Sequence, residues 1–417
     1  MIIERNLYLD KLLSHRHNGM IKVVTGMRRC GKSYLLFNLF VDALNKEGVD
    51  DKHIIKINLE DRRNKELRNP DTLLKYIDSM LIDENMYYIL LDEVQMVSEF
   101  EDVLNSYLHV SNADVYVTGS NARFLSKDVI TEFRGRGDEI RIHPLSFKEY
   151  CGSQNKTKDI NQLLADYMLY GGLPQAAIME ERKEREKYLS NLFTHTYLKD
   201  IKERNAIHHD DDLEELISIL SSSIGGLTNP LKLSNAFKTV KHSDISKDTV
   251  KKYLDYMQDA FLIERSVRYD IKGRKYIATP AKYYFEDLGL RNARLNFRQS
   301  EKTHLMENLI YNELRLRGYS VDVGMVMLNT KNNEGKSERK QLGWDFVCNK
   351  SYDRIYVQSA FDLPSEEKQE QEFRSLKQIK DNFQKVVIVG GFQPTYRNDD
   401  GILILNIYDF LMKEDLF

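Results

Sequence analysis

The stretch TGMRRCGKSYLLFNLF, residues 25–40, decides how the chain is read. It fits the pattern Gly26-x-x-x-x-Gly31-Lys32-Ser33. The apolar run MIKVVT (residues 20–25) precedes it and reads as a buried strand. Leu35, Leu36, Leu39, Phe40, Ala43 and Leu44 follow at helical spacing, which predicts a helix over 33–46 with Gly48 as its C-cap. Strand, glycine-rich turn and helix in this order make a phosphate-binding loop. The glycines let the backbone curl so that N–H groups point inward, and the helix N-terminus adds positive potential. Gly26, Met27, Arg28, Arg29, Cys30, Gly31, Lys32, Ser33 and Tyr34 are therefore expected to hold ATP. In that reading Lys32 neutralises the β- and γ-phosphates, and Ser33 ligates Mg2+ through its hydroxyl. Cys30 reads as a small filler within the loop.

A hydrolytic site needs an acidic partner for this loop, and YYILLDEV (residues 87–94) supplies one. Its apolar run is that of a strand buried on both faces. Asp92 at its end is expected to hold Mg2+, and Glu93 to act as general base on the attacking water. VTGSNA (117–122) ends another strand and places Ser120 and Asn121 where they could bond the γ-phosphate or the water. FRGRG (133–137) offers Arg134 and Arg136. Arg136 is expected to stabilise the transition-state charge, within its own chain or on a neighbouring copy in a homo-oligomer.

Working outward, HIIKINLED (53–61), ADVYVTGS (113–120) and EIRIHPLSF (139–147) read as further strands. Strands alternating with helical stretches argue for an α/β fold with a parallel sheet. The pattern breaks near CGSQNKTKD (151–159), where polar residues take over. A first domain is therefore expected over 1–155, a helical connector over 156–209, a third module over 210–285 and an α/β domain over 286–417. The 417 residues are too many for one core, which agrees with several domains. Hydrophobic residues at 41% and charged residues at 30% exclude a disordered chain. No apolar run approaches the ~20 residues of a membrane span. The opening MIIERNLYLDK lacks a signal core, so a cytoplasmic protein without a membrane partner is expected. Cys30, Cys151 and Cys348 are widely spaced, which fits neither a disulfide framework nor a zinc site. His15, His17, His208 and His209 form no metal-ligand set.

Net charge is −3, so any nucleic-acid contact must come from a local patch. One exists. Residues 261–300 hold nine Lys/Arg and four Asp/Glu, a local net of 9 − 4 = +5. Just before them, Val250, Leu254, Met257 and Phe261 mark one helical face, with Ser246 as N-cap. A hairpin turning near Lys272 and Gly273 follows. Helix then hairpin is the outline of a winged helix. Lys247, Lys251, Lys252, Arg265, Arg268, Lys272, Arg274 and Lys275 are the candidate phosphate contacts. A DNA partner and a protein partner both fit this module.

The ordered set TGMRRCGKS, LLDEVQ, TGSNA, FRGRG, HPLSFKEY, YGGLP (170–174) and YYFEDLGLRNA (283–293) resembles the prokaryotic AAA-type P-loop ATPases, over nearly the whole chain. That resemblance implies an additional-strand ATPase core with the glutamate beside the magnesium aspartate as catalytic base. It also implies a helical segment, a winged-helix-like module and a terminal domain similar to restriction-endonuclease-like folds. Such a core needs a helix glutamate, a strand aspartate and an acidic-x-lysine pair around magnesium. Glu307 matches the first position and Asp345 the second, but Gln358 stands for the acid and Ala360 for the lysine. Cleavage is therefore not expected of this domain. The helix predicted over EFRSLKQIKDNF (372–383) keeps apolar residues at core spacing, so its fold is expected to be intact. Three uses of the nucleotide follow: turnover coupled to the C-terminal half, a switch for a DNA- or protein-binding module, and control of a nuclease.

Overall fold

The computed structural model describes residues 2–119, 135–154, 158–207, 210–241, 245–298, 301–331, 337–414 and 416. The chain divides into two compact units. The first comprises Met1–Pro144, Leu173–Gln175 and Asp259–Phe261; the second comprises Leu145–Gly172, Ala176–Gln258 and Leu262–Phe417. No described helix is long and apolar enough to cross a membrane.

In the first unit β1 (Ile21–Thr25), β2 (Ile54–Asn58), β3 (Tyr87–Asp92), β4 (Ala113–Gly119) and β5 (Gly137–Arg141) form one sheet. Its order is β2-β3-β4-β1-β5, and every pairing is parallel. β1 and β3 are buried at every position, as β-rich apolar runs covered on both faces must be. All five expected strands form, but β2, β3 and β5 end early, at Asn58, Asp92 and Arg141. Asn58 accepts the N–H groups of Glu60 and Asp61 and closes a turn there. β5 stops at Arg141, after which the Ile142 N–H still reaches Thr25 O at 2.7 Å. The expected helix after the loop runs through Lys32–Tyr34, a π-type turn over Leu35–Phe40, and Val41–Lys46. Gly48, at φ 93°, follows it and donates to Asn45 O at 3.0 Å.

The second unit begins with helices, among them Ile160–Tyr170, Arg182–Leu192, Asp210–Ser222, Pro230–Lys241 and Lys247–Asp259. The strands β6 (Ile263–Asp270), β7 (Lys275–Phe285), β8 (Ser320–Lys331), β9 (Ser337–Lys350), β10 (Asp353–Ala360), β11 (Gln384–Val389), β12 (Tyr396–Arg397) and β13 (Leu403–Asn406) follow. They make one mixed sheet in the order β12-β13-β11-β10-β9-β8-β6-β7. β6 pairs antiparallel with β7 and parallel with β8, so this sheet starts at Ile263. Thr228 and Ala281 exchange backbone hydrogen bonds at 2.9 Å, which ties the start of the helix Pro230–Lys241 to β7. β8 and β9 pair antiparallel as far as Lys331 and Ser337, and 332–336 lie outside the described residues.

The helix Lys302–Leu316 packs Tyr311 on Tyr284, with ring centroids 4.1 Å apart, and near Phe346. The helix Glu366–Lys377 packs Phe373 and Leu376 against Trp344, Tyr356 and Ala360. This second helix starts and ends six residues earlier than the expected 372–383. Ser365 caps it by accepting the Lys368 N–H, and Gln378 ends it, while Ile379 still reaches the same core from the turn that follows. One irregularity interrupts the β8–β9 pairing. Asp322 faces Val347 but Gly324 faces Trp344, so β9 carries one extra residue between them. Such a bulge re-aims side chains. Here it separates Trp344, in the core under the helix Glu366–Lys377, from Phe346, beside Tyr284 and Tyr311.

Candidate nucleotide site

The loop between β1 and its helix is shaped by close backbone approach. Gly26 has φ 139°, and a Cβ there would lie 2.1 Å from Ile142 O. Only glycine fits. Met27 and Cys30 are fully buried and pin the loop from below, while Arg28 is half-buried and Arg29 and Tyr34 are exposed. Cys30 thus packs as the small filler expected, its Sγ 3.8 Å from Ile142 O. Gly31 takes a left-handed conformation at φ 102° and starts the helix. Lys32 is buried and folds over the loop, its Nζ donating to Gly26 O at 2.9 Å and Met27 O at 3.0 Å.

The acids come from the C-terminal end of β3. β4 lies between β3 and β1, so this strand end and the loop flank the end of β4. Ser33 Oγ donates to Asp92 Oδ1 at 2.8 Å. The Thr118 hydroxyl, from β4, donates to the same Oδ1 at 2.6 Å and accepts the Glu93 N–H at 2.9 Å. Burial raises the Asp92 pKa, against the hydrogen bonds of Thr118 and Ser33 that favour its charge. Glu93 sits at φ 57°, a conformation uncommon for a residue with a side chain, and Gln95 Nε2 donates to its carboxylate. Ser33 and Asp92 thus offer a hydroxyl and a buried carboxylate side by side, oxygen donors of the kind Mg2+ takes.

The structure therefore gathers Gly26, Gly31, Lys32, Ser33, Asp92 and Glu93. It does not gather Arg136. The exposed Arg136 precedes β5, and its carbonyl accepts the Ile21 N–H at 2.9 Å, so it lies at the end of β1 opposite the loop. Ser120, Asn121 and Arg134 lie outside the described residues. Two residues were not singled out from the sequence. Thr118 looks like any β-branched filler of a buried strand. Arg5 is 4% exposed and donates to Cys30 O at 3.0 Å and His143 O at 2.7 Å, clamping the back of the loop. A lone arginine ahead of a helix carries no pattern that would reveal this. Among the basic residues of the second unit, Lys247, Lys251, Lys252, Arg265, Lys272, Arg274 and Lys275 are exposed. Arg268 is not, and is spent on Thr279 O and Pro280 O, so it is withdrawn as a phosphate contact.

A phosphate loop, an acidic strand end and one strand between them define the class as a P-loop ATPase of the AAA type. The AAA domain family profile matches residues 18–151, and that of a domain of unknown function, DUF8612, matches 161–301. An uncharacterized protein of Haemophilus influenzae is 33% identical over 416 residues, 99% of each chain. The uncharacterized protein MJ1544 of Methanocaldococcus jannaschii is 29% identical over 347 residues, 80% of this chain and 74% of that one. Among solved structures, the Aeropyrum pernix ORC1 protein in complex with DNA is 13% identical, with 70% of this chain and 92% of that chain covered and a TM-score of 0.29. The chain belongs to the AAA-type P-loop ATPase family through residues 18–151, and it shares a family with the Haemophilus influenzae protein that it matches over 99% of each chain. Nucleotide binding follows from that membership.

Proposed function

We propose that the protein is a Mg2+-dependent ATPase whose nucleotide state is read by its second unit. The observation that supports this best is the Thr118 hydroxyl, which links Asp92 and the Glu93 backbone beside Ser33. In this reading the backbone of residues 26–34 and the Lys32 ammonium hold the phosphates. Ser33 and Asp92 hold Mg2+, which supplies charge neutralisation for phosphoryl transfer. Glu93 takes the proton of the attacking water, and Asn121 orients that water. Since phosphoryl transfer is largely positioning and electrostatics, Glu93→Gln is expected to keep ATP affinity and lose turnover, about 100-fold or more. Lys32→Ala is the blank that loses both. Hydrolysis by Glu93→Gln at the parental rate sinks the assignment.

Arg136 acts in this scheme on the γ-phosphate of a neighbouring copy, because the length of β1 separates it from its own loop. The second unit is proposed to respond to DNA. The support is an order of elements that matches a winged helix: the helix Asp210–Ser222, the Thr228 bridge, the helices Pro230–Lys241 and Lys247–Asp259, then the hairpin β6–β7. Exposed lysines and arginines sit on the last helix and on the hairpin turn, as a phosphate contact requires. ATP hydrolysis measured with and without duplex DNA tests this. Stimulation that falls with rising salt supports it. A rate indifferent to DNA at low salt turns the module into a protein-docking one.

A further inference from the structure

The second unit holds a charged cluster of its own. Glu307 comes from the helix Lys302–Leu316, Asp345 from the bulge of β9, and Lys282 from β7. Lys282 Nζ donates to Glu307 Oε1 at 2.7 Å and to Asp345 Oδ1 at 3.1 Å. The Tyr284 hydroxyl donates to the same Glu307 oxygen at 2.6 Å. The other Asp345 oxygen accepts the Ser359 N–H at 2.9 Å. The three charged side chains are only 9–14% exposed. The chain at Gly225 closes on them, since a Cβ there would lie 3.0 Å from Glu307 Oε1.

An endonuclease-like centre would require a divalent cation on Glu307 and Asp345. The residues do not fit one. Such an ion sits about 2.0–2.5 Å from carboxylate oxygens, and the space between the two acids is already filled by an ammonium group. The next position is spent as well. Gln358 accepts the Asp345 N–H and donates to Glu372, which is itself paired with Lys368. Ala360 is buried in the core under the helix Glu366–Lys377. Among the described residues no group of three His, Cys, Asp or Glu side chains could hold a metal. Burial works against the Lys282 charge, but Asp345 and Glu307 outweigh it and raise its pKa. Burial and the Asp345 charge push Glu307 up to about 7.

We propose that the Lys282 ammonium is the resident cation of this acidic pair, standing where a divalent ion would sit and tying the β6–β7 hairpin to the helix Lys302–Leu316 and to β9. The acids then persist because the lysine needs them, not because a metal does. A buried ion cluster is costly to break one charge at a time and cheap to replace whole. The cluster also fixes the hairpin whose turn carries exposed Lys272 and Arg274.

The test is Mn2+ binding to the full chain without nucleotide, counted by electron paramagnetic resonance. The parent and Asp345→Asn are expected to bind Mn2+ alike. Lys282→Met is expected to gain one ion at least tenfold tighter, absent from Lys282→Met/Asp345→Asn. A parental ion lost in Asp345→Asn overturns the proposal, because lysine and metal would then coexist. So does a folded Lys282→Met that gains no ion, or Mg2+-dependent nicking of DNA lost in Asp345→Asn. If Lys282→Met melts too low to titrate, Lys282→Met/Glu307→Gln/Asp345→Asn decides. Removing all three charges together is expected to restore at least half of the lost melting temperature, and no recovery overturns the account.

Discussion

Thr118 makes two hydrogen bonds with one hydroxyl, one to a carboxylate that burial disfavours and one from the backbone of the proposed base. Valine has nearly the same shape and neither bond. Thr118→Val leaves the Glu93 N–H unsatisfied and removes a donor from Asp92, a loss of about 1–3 kcal/mol at the site. If that loss is felt in the transition state, turnover falls roughly 5- to 150-fold. ATP affinity should stay within about threefold, because Lys32 and the loop backbone are untouched. Unchanged turnover in Thr118→Val would show that Asp92 and Glu93 need no such pin. At this scale the sequence was most legible where a residue type has few other uses. Gly26, Lys32, Ser33 and Asp92 could be read from spacing alone, and the structure brings them together. Thr118 could not, because threonine in VYVTG is an ordinary β-former. Arg5 and Lys282 were invisible for another reason. Their partners are 25 or more residues away, and no local period records such a contact.

Elements were legible where their periods were clean. The five strands of the first unit and the helix after its loop appeared in the sequence as apolar runs and helical spacing. Their order was not, because a strand does not encode its neighbour: β4 lies between β1 and β3, and that insertion sets the acids beside the loop. The bulge in β9 was equally hidden, since an extra residue in a strand leaves its composition unchanged. The motifs YGGLP and YYFEDLGLRNA, recognisable but without a mechanism, now have one. Asp287 caps the helix Leu288–Arg294 by accepting the Leu290 N–H at 3.0 Å, and it also accepts the Gly172 N–H at 2.8 Å. One carboxylate thus joins the turn ending the helix Ile160–Tyr170 to the start of another helix. Complete burial pushes this group from 3.8 up to about 6, despite the backbone donors that favour its charge. A raised pKa means that the native state holds the proton more tightly than the unfolded chain. The stability this contributes is full below pH 3.8 and is lost as pH rises through about 6. Its size is about 3 kcal/mol. Urea unfolding of the parent and Asp287→Asn between pH 4 and 7 should show the parent losing ground to the variant across that window, then a constant gap. A pH-independent difference would mean that Asp287 is ionised throughout.

At the scale of the whole molecule, the first unit does not bring Arg136 to the proposed site of its own chain. Arg136 pairs through its backbone with Ile21, and the loop begins after Thr25. At about 3.3 Å per residue, β1 puts roughly 13 Å or more between them, further than an arginine side chain reaches. In the proposed scheme, an arginine exposed at that end of the sheet serves the γ-phosphate of another copy of the chain. The consequence is a mixing experiment. Arg136→Ala alone should lose about 10³-fold in turnover, the usual worth of such a group, while keeping ATP affinity. Glu93→Gln alone should also be inactive. Mixed in equal amounts, intact sites of the first variant meet intact arginines of the second, and hydrolysis should rise at least tenfold above either alone. The rise should grow with total protein concentration, since it depends on assembly. Full activity of Arg136→Ala would remove the residue from the mechanism. Loss without rescue at any ratio would leave Arg136 a role within its own chain, and the expectation of a shared site between copies would fall with it.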